Sequence, residues 1–177
     1  MEPTAPRSTR SARGPSPGLS VKVSLADVVG ALELASDETS SYIQRSTGRV
    51  VMFVHEDMRF AELSEEDDVS RLPDWQREAV AQAREVLASG DWLLLPGRFD
   101  VHEWQIMDDF VRALPDPIAR DRLADAIRGR GAFRHFKGTI RQLGLEKAWY
   151  AHRAETLEGL AREWLAEHGF EVASGPA

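Results

Sequence analysis

The chain of 177 residues contains no cysteine. This absence excludes disulfide bonds, thiolate catalysis and zinc sites with cysteine ligands, and it suits a reducing cytosol. Long apolar stretches are absent as well, because no run approaches the roughly 20 residues that span a bilayer. The N-terminus also has no apolar signal-peptide core. The sequence therefore predicts a soluble cytoplasmic protein that does not engage a membrane.

Positive charge is scarce, since 29 acidic side chains face 22 lysines and arginines and leave a net charge of −7. Domains that bind nucleic acid are usually basic overall. Nucleic acid is therefore not the favoured partner, although a local basic face would still allow it. The length fits one domain, which would bury roughly 70% of the surface of the unfolded chain.

Large aliphatic side chains are rare in residues 1–20, where Leu19 is the only one after Met1. Proline, serine, glycine and arginine dominate there, so this segment is predicted to be a disordered tail. A less favoured interpretation is a basic arm for an anionic partner, formed by Arg7, Arg10 and Arg13. We expect a single domain over 21–170 and a flexible C-terminus over 171–177.

Three short apolar stretches predict a small antiparallel sheet. Tyr42-Ile43 and Val50–Val54 flank Gly48, which is the pattern of a hairpin whose turn needs a positive φ. Val50–Val54 is apolar on both faces, which is typical of a central strand. Trp92–Leu95 is a third strand candidate. The polar residues 36–41 indicate a loop, and the acidic run 65–68 indicates a solvated loop or helix end.

Helix signals account for most of the remaining chain. The predicted N-caps are Ser24, Asp74, Asp100 and Asp116, with Glu103 completing a capping box and Pro117 at a first helical position. The predicted inward-facing side chains are Trp75, Ala79, Ala83, Val86 and Leu87, then Val101, Trp104, Met107, Phe110, Val111 and Leu114, then Ile118, Leu123 and Ile127. Helix continues to about His168, with breaks near Gly129, Gly131 and Gly144. The fold class is α+β: a small antiparallel sheet of two or three strands with one hairpin, packed by helices, and a mainly helical C-terminal half.

The segment Ile127–Lys137 concentrates cations, two phenylalanines and two glycines without a carboxylate. At about 100° per residue, Arg130, Arg134, Lys137 and Arg141 fall on one side of a helix. With Arg128 they form what we call the basic face. Phe133, Phe136, Ile140 and Leu143 form a neighbouring stripe that is predicted to enter the core.

Two explanations for the basic face remain open. Acidic groups elsewhere can neutralise it, and the candidates are Glu33, Asp37, Glu38, the 65–68 run, Asp108 and Asp109. Alternatively it binds an anion, because a helix starting at Gly131 would present the amides of Ala132, Phe133 and Arg134 at a positive dipole end. Arginine forks suit phosphate oxygens. The candidate anion- or partner-binding residues are Arg128, Gly129, Arg130, Gly131, Arg134, Lys137 and Arg141.

No catalytic, metal or cofactor site is predicted elsewhere. The five histidines form no His-Glu-x-x-His pair, and no Gly-x-Ser-x-Gly elbow is present. Gly129-x-Gly131 follows a helix rather than a strand, so it is not a dinucleotide fingerprint, and no Gly-Lys-Ser/Thr makes it a phosphate loop. Asp37-Glu38 offers too few oxygen ligands to claim a cation site.

Several segments together resemble a bacterial family known as uncharacterised protein family 0158. They are Ile127–Lys137, Gly144-Leu145, Trp149-Tyr150, Glu163–Leu165, Ser36–Glu38 with Tyr42 and Thr47-Gly48, and Glu103–Met107 with Phe110. The similarity runs from about Val21 to Phe170. The family tends to carry Arg at position 135 and Asp at 138, where this chain has His135 and Gly138. The resemblance implies no activity, since none is assigned to the family.

The leading functional hypothesis is a non-catalytic binding or regulatory module whose basic face contacts an acidic protein partner or a phosphate-bearing ligand. An enzyme acting on a nucleotide or nucleic acid, with the same arginines holding phosphate, is the alternative. A purely structural role for the cluster is the third hypothesis.

Overall fold

The computed structural model describes residues 20–63 and 69–173, so the predicted tail and the 65–68 run lie outside the described residues. The described part contains both helices and short strands. The helices are α1 Leu25–Glu33, α2 His55–Leu63, α3 Asp74–Ala88, α4 Glu103–Ala113, α5 Pro117–Ala126, α6 Ala132–Gln142 and α7 Glu146–Glu167. The strands are β1 Lys22–Val23, β2 Thr39–Gln44, β3 Val50–Val54, β4 Trp92–Leu94 and β5 Glu171–Val172. The predicted α+β class, with its small antiparallel sheet and helical C-terminal half, is confirmed.

Two of the predicted helix caps are present with the expected chemistry. The Asp27 amide donates to Ser24 Oγ at 3.3 Å, and α1 begins one residue after Ser24. The Ile118 amide donates to Asp116 Oδ1 at 3.0 Å, and Pro117 follows at the first helical position. These side chains satisfy backbone donors that a helix leaves unpaired at its start.

The two other caps were wrong. Asp74 is the first residue of α3, whose N-cap is Pro73, and no side chain caps that helix. The Asp100 carboxylate accepts a hydrogen bond from the Gly97 amide at 2.8 Å, and α4 begins only at Glu103. Asp100 therefore closes a turn instead of starting a helix, because aspartate can hydrogen-bond nearby backbone in either setting.

The three-stranded antiparallel sheet has the order β3–β2–β4, so the prediction that Val50–Val54 is central was wrong. The central strand is the more polar β2, where Tyr42 pairs with Val51 on one side and Leu94 on the other. Strand β3 contacts both clusters, since Val50 packs against the main core and Phe53 belongs to a second one, while Met52 and Val54 are exposed. Strand β2 begins at Thr39, inside the predicted 36–41 loop.

A second ladder joins the two ends of the described chain. Strands β1 and β5 pair in parallel, with Lys22 opposite Glu171 and Val23 opposite Val172. The Gly48 turn packs onto β1, since a Cβ at Gly48 would lie 2.8 Å from Val23 Cγ2. The hairpin, the first strand and the last strand are therefore held together at one place.

The buried apolar side chains of the described residues form two clusters. The main core lies between one face of the sheet, α1 and helices α4 to α7, and its centre is aromatic: the Phe110, Phe136 and Trp149 rings meet edge to face at 4.8–6.2 Å. The smaller cluster holds Phe53 and Met58 beneath α2 and α3. Helix α2 was not predicted.

Several side chains predicted to face inward are exposed. They are Trp75 and Leu87 on α3, Trp104 on α4, and Ile118 on α5. Their neighbours Ala83, Val86, Met107 and Leu123 are buried as predicted. The error arises because α3 and α5 bury only a narrow stripe, whereas apolar spacing alone suggests a wider one.

Candidate anion-binding face

The candidate site is the hairpin formed by α5 and α6. Helix α5 ends where Ile127 is buried, and the chain then turns through Gly129 at φ 76° and Gly131 at φ 82°. Both values lie in the left-handed region that other residues rarely adopt. The glycines therefore let the chain reverse within a few residues and start α6 at Ala132, one residue later than predicted.

The apolar side of α6 anchors the hairpin. Phe136 and Ile140 are fully buried against the core, as predicted, and Leu143 packs against its edge. Phe133 was predicted to be in the core, but its side chain is 44% exposed, and Lys137 Nζ lies 4.5 Å from the centre of its ring. Phe133 thus lies at the border of the apolar stripe, where its ring contacts the Lys137 ammonium group instead of the core.

The cations of the basic face are exposed to solvent. Arg130, Arg134 and Lys137 are exposed and form no ion pair with any residue in 20–63 or 69–173. Arg128 pairs with Asp125 at 3.2 Å and Arg141 with Glu146 at 3.3 Å, both across exposed pairs. Exposed pairs of this kind contribute about 1 kcal/mol or less and are easily exchanged for another anion.

The carboxylates proposed as internal counter-charges are engaged elsewhere. Asp37 pairs with Arg98, Glu33 approaches Arg153 at 3.8 Å, and Asp108 pairs with Arg112 at 2.6 Å. Asp109 accepts a hydrogen bond from Gln105 at 2.9 Å. Among the described acids that were candidates, none neutralises the centre of the basic face.

The first turn of α6 offers fewer free amides than predicted. The Arg134 amide donates to Gly131 O at 3.0 Å, so that part of the prediction was wrong. The amides of Ala132 and Phe133 donate to no backbone carbonyl within the described part of the chain. The cationic side chains, more than the helix end, define the site.

A shallow groove separates α5 from α6. Its walls include Arg122, Arg134 and His135, and its floor is open at Gly138, where a Cβ would meet nothing within 4 Å. Arg122 Nη2 donates to Gln142 Oε1 at 3.2 Å across the groove. Arg122 was not predicted as a site residue, although its position on the helix facing the basic segment could have suggested it.

Charge is segregated within the fold. Residues 117–142 carry seven lysines and arginines and two aspartates, while the whole chain has a net charge of −7. A local positive surface on an acidic molecule concentrates anions there and disfavours them elsewhere. The hairpin is thus electrostatically distinct from the rest of the protein.

The histidines and the membrane question concern the rest of the described residues. No group of three or more His, Asp or Glu side chains within 20–63 and 69–173 could hold a metal ion. His152 is half-buried against the Phe110 ring, and His168 stacks on Trp164 at 3.9 Å. No helix of the described residues is long and apolar enough to cross a membrane.

The fold and this face define a mainly helical α+β protein with an arginine-rich surface hairpin. The model of the Uncharacterised protein family (UPF0158) matches residues 20–175, so the chain belongs to this family and the predicted resemblance is confirmed. A UPF0158 protein of Pseudomonas aeruginosa is 31% identical over 70 residues, which cover 39% of this chain and 46% of the relative. The chain thus matches less than half the length of this curated relative. No solved structure matches the chain.

Proposed function

We propose that this protein is a binding module whose basic face holds the phosphate groups of a ligand. The observation that supports the proposal most directly is the exposure of Arg130, Arg134 and Lys137 without counter-charges among the described residues. Like charges on one side of a helix, such as Lys137 and Arg141 four residues apart on α6, destabilise it slightly. They are therefore hard to explain by stability alone.

The arginine-rich composition of this face suits phosphate. Six of the seven cations of the hairpin are arginines, whose planar forks bind phosphate oxygens in pairs. Arg134 and Arg141 are separated by about 10 Å along the helix axis. That distance suits a ligand with several phosphates better than a single ion. An acidic protein partner is the competing explanation, and the experiment below distinguishes the two.

The test compares two triple variants by fluorescence anisotropy. The first, Arg130→Ala/Arg134→Ala/Lys137→Ala, removes the unpaired centre of the basic face. The second, Arg45→Ala/Arg49→Ala/Arg59→Ala, removes three exposed arginines on the sheet turn and α2. Both lower the net charge by three, so they differ only in where the charge is lost.

Labelled inorganic polyphosphate and labelled poly-L-glutamate are the probes. We expect the wild type and the second variant to bind polyphosphate more tightly than polyglutamate, and the first variant to lose at least tenfold in affinity. Equal loss in both variants would mean that only net charge matters and would refute the site. Preference for polyglutamate would assign the face to an acidic protein.

Thermal unfolding completes this test. Because Arg130, Arg134 and Lys137 make no ion pair with the described residues, each replacement should change the free energy of unfolding by only about 0.5 kcal/mol. A large loss of stability in the first variant, unrelieved by polyphosphate, would show instead that the cluster is structural.

A further inference from the structure

Phe99 is exposed to a degree that packing does not explain. Its side chain is 81% accessible, the largest value among the exposed large hydrophobic side chains of the described residues. It lies in a turn closed by three hydrogen bonds, since Gly97 O accepts from the Asp100 and Val101 amides at 3.0 and 3.2 Å, and the Gly97 amide donates to Asp100 Oδ2. The ring is thus held in solvent by an ordered turn.

Trp104 provides a second aromatic surface beside it. Phe99 and Trp104 line the same open concavity of about 520 Å³. The Trp104 indole N–H donates to Ile127 O at 3.1 Å, while 52% of the side chain remains accessible. One edge of the indole is fixed by that hydrogen bond, and the exposed half of the residue can contact a ligand.

The hydrogen bond to Ile127 places the aromatic surface next to the basic face. Ile127 is followed directly by Arg128 and the glycine turn that leads to Arg130. Two nearby carboxylates are paired with arginines, since Glu103 Oε1 accepts from Arg153 Nε at 2.9 Å and Asp37 pairs with Arg98. Asp100, beside Phe99, is hydrogen-bonded to the Gly97 amide. The Trp104 ring therefore lies beside the start of the basic face, where Arg128 pairs with Asp125 and Arg130 forms no ion pair with the described residues.

We infer that the phosphate-bearing ligand is a single-stranded nucleic acid. Bases stack on Phe99 and Trp104, and the backbone phosphates contact Arg128, Arg130 and Arg134. Proteins that bind single strands combine a cationic track with exposed aromatic rings in this way. A single strand is favoured over a duplex because the base faces of a duplex are already stacked on one another. This inference rests on the proposed function and specifies its ligand.

The acidic net charge does not contradict it. The usual expectation that nucleic-acid-binding domains are basic concerns the surface that meets the phosphates. Here that surface carries seven cations and two aspartates over residues 117–142, and the excess acid lies elsewhere in the sequence.

The test uses the full chain and two labelled probes of equal length, a single-stranded oligothymidylate and its abasic counterpart. Both carry the same phosphates, and only the first has bases. We expect Phe99→Ala to weaken oligothymidylate binding about fivefold or more, in line with the loss of one stacked base. Binding of the abasic strand should stay the same. The matched control is Trp75→Ala, which removes an exposed aromatic ring on α3 that is 68% accessible.

The outcomes separate this inference from the proposed function. If both strands bind equally, Phe99→Ala changes neither, and the Arg130/Arg134/Lys137 variant loses both, then phosphate binding stands and base stacking is refuted. Tighter binding of the matching duplex than of the single strand also refutes the inference. If the basic-face variant binds every probe as the wild type does, the proposed function fails as well.

Discussion

At the scale of single residues, the missing side chain of Gly48 lets the β2–β3 hairpin turn pack against β1. Its φ of 75° lies in the left-handed region, and a Cβ would lie 2.8 Å from Val23 Cγ2 and 3.0 Å from Lys22 O. Left-handed backbone costs other residues about 1–2 kcal/mol, and the contact with Lys22 is to backbone. Only glycine therefore lets the hairpin turn pack on β1.

We predict that Gly48→Ala lowers the free energy of unfolding by more than about 2 kcal/mol, because conformational strain and overpacking add. Urea unfolding followed by circular dichroism measures the change. The control is Gly30→Ala in α1, where a Cβ meets nothing within 4 Å. It should stabilise by about 0.5–1 kcal/mol. An unchanged Gly48→Ala variant would show that the turn is not packed as described.

A second prediction for a single residue concerns Tyr42 and the pH dependence of the free energy of unfolding. Burial raises the pKa of the Tyr42 hydroxyl above 10.0, and the charge of Glu62 raises this pKa further. A pKa that is higher in the folded than in the unfolded state contributes stability below the unfolded value, and this stability is lost as the pH rises through the folded value. The free energy of unfolding should therefore fall above about pH 10.

We predict that Tyr42→Phe removes part of this alkaline loss, whereas Tyr150→Phe, at the exposed second tyrosine, does not. Unfolding free energies measured across the alkaline range for the three proteins provide the comparison. An identical alkaline loss in wild type and Tyr42→Phe would mean that Tyr42 ionises as freely as in the unfolded chain.

At the scale of elements, two of the four predicted helix caps and the hairpin were correct because their causes are local. Ser24 and Asp116 cap through side chains within three residues, and Gly48 marks its own turn. The strand order and the β1–β5 ladder could not be predicted, because they depend on pairing across the whole chain. The two strands of that ladder are also only two residues each, too short for any periodicity.

The candidate site was also predicted only in part. Helical spacing correctly predicted that Phe136 and Ile140 are buried. It misplaced Phe133, which lies at the border of the stripe, and Trp104, whose indole is held at the surface by Ile127 O. Periodicity predicts the direction in which a side chain leaves the helix axis. It does not predict how wide a stripe of the helix the rest of the protein covers, nor a hydrogen bond to another element.

Helix α6 carries a prediction of its own at Gly138. This glycine is inside the helix, its φ is not positive, and a Cβ would meet nothing within 4 Å. We predict that Gly138→Ala stabilises the protein by up to about 1 kcal/mol, because alanine restricts the unfolded chain and favours helix. Thermal unfolding measures it, and Gly144→Ala, at φ 67°, should destabilise instead.

Polyphosphate affinity should be the same in Gly138→Ala as in the wild type, since the cations of α6 keep their positions. A loss of affinity would show that the open floor of the groove between α5 and α6 holds part of the ligand.

At the scale of the whole molecule, the fold places the cations of α5 and α6 on the side of the hairpin that faces away from the main core. Helices α4 to α7 bury the Phe110, Phe136 and Trp149 cluster, and this leaves the outer sides of α5 and α6 free to carry cations. The acidic remainder of the chain repels anions elsewhere, so binding should be confined to the hairpin. The arrangement predicts a local, salt-sensitive interaction.

The salt dependence of polyphosphate or oligothymidylate binding tests this central claim most directly. If the protein neutralises three or four phosphates, the logarithm of the association constant should fall linearly with the logarithm of the salt concentration. The expected slope is about −2 to −3, because each phosphate contact contributes roughly 0.7. The Arg130→Ala/Arg134→Ala/Lys137→Ala variant should flatten that slope by about 2, while the Arg45→Ala/Arg49→Ala/Arg59→Ala variant keeps it. A flat response in the wild type, or the same slope in both variants, would contradict the assignment of the basic face as the phosphate-binding site.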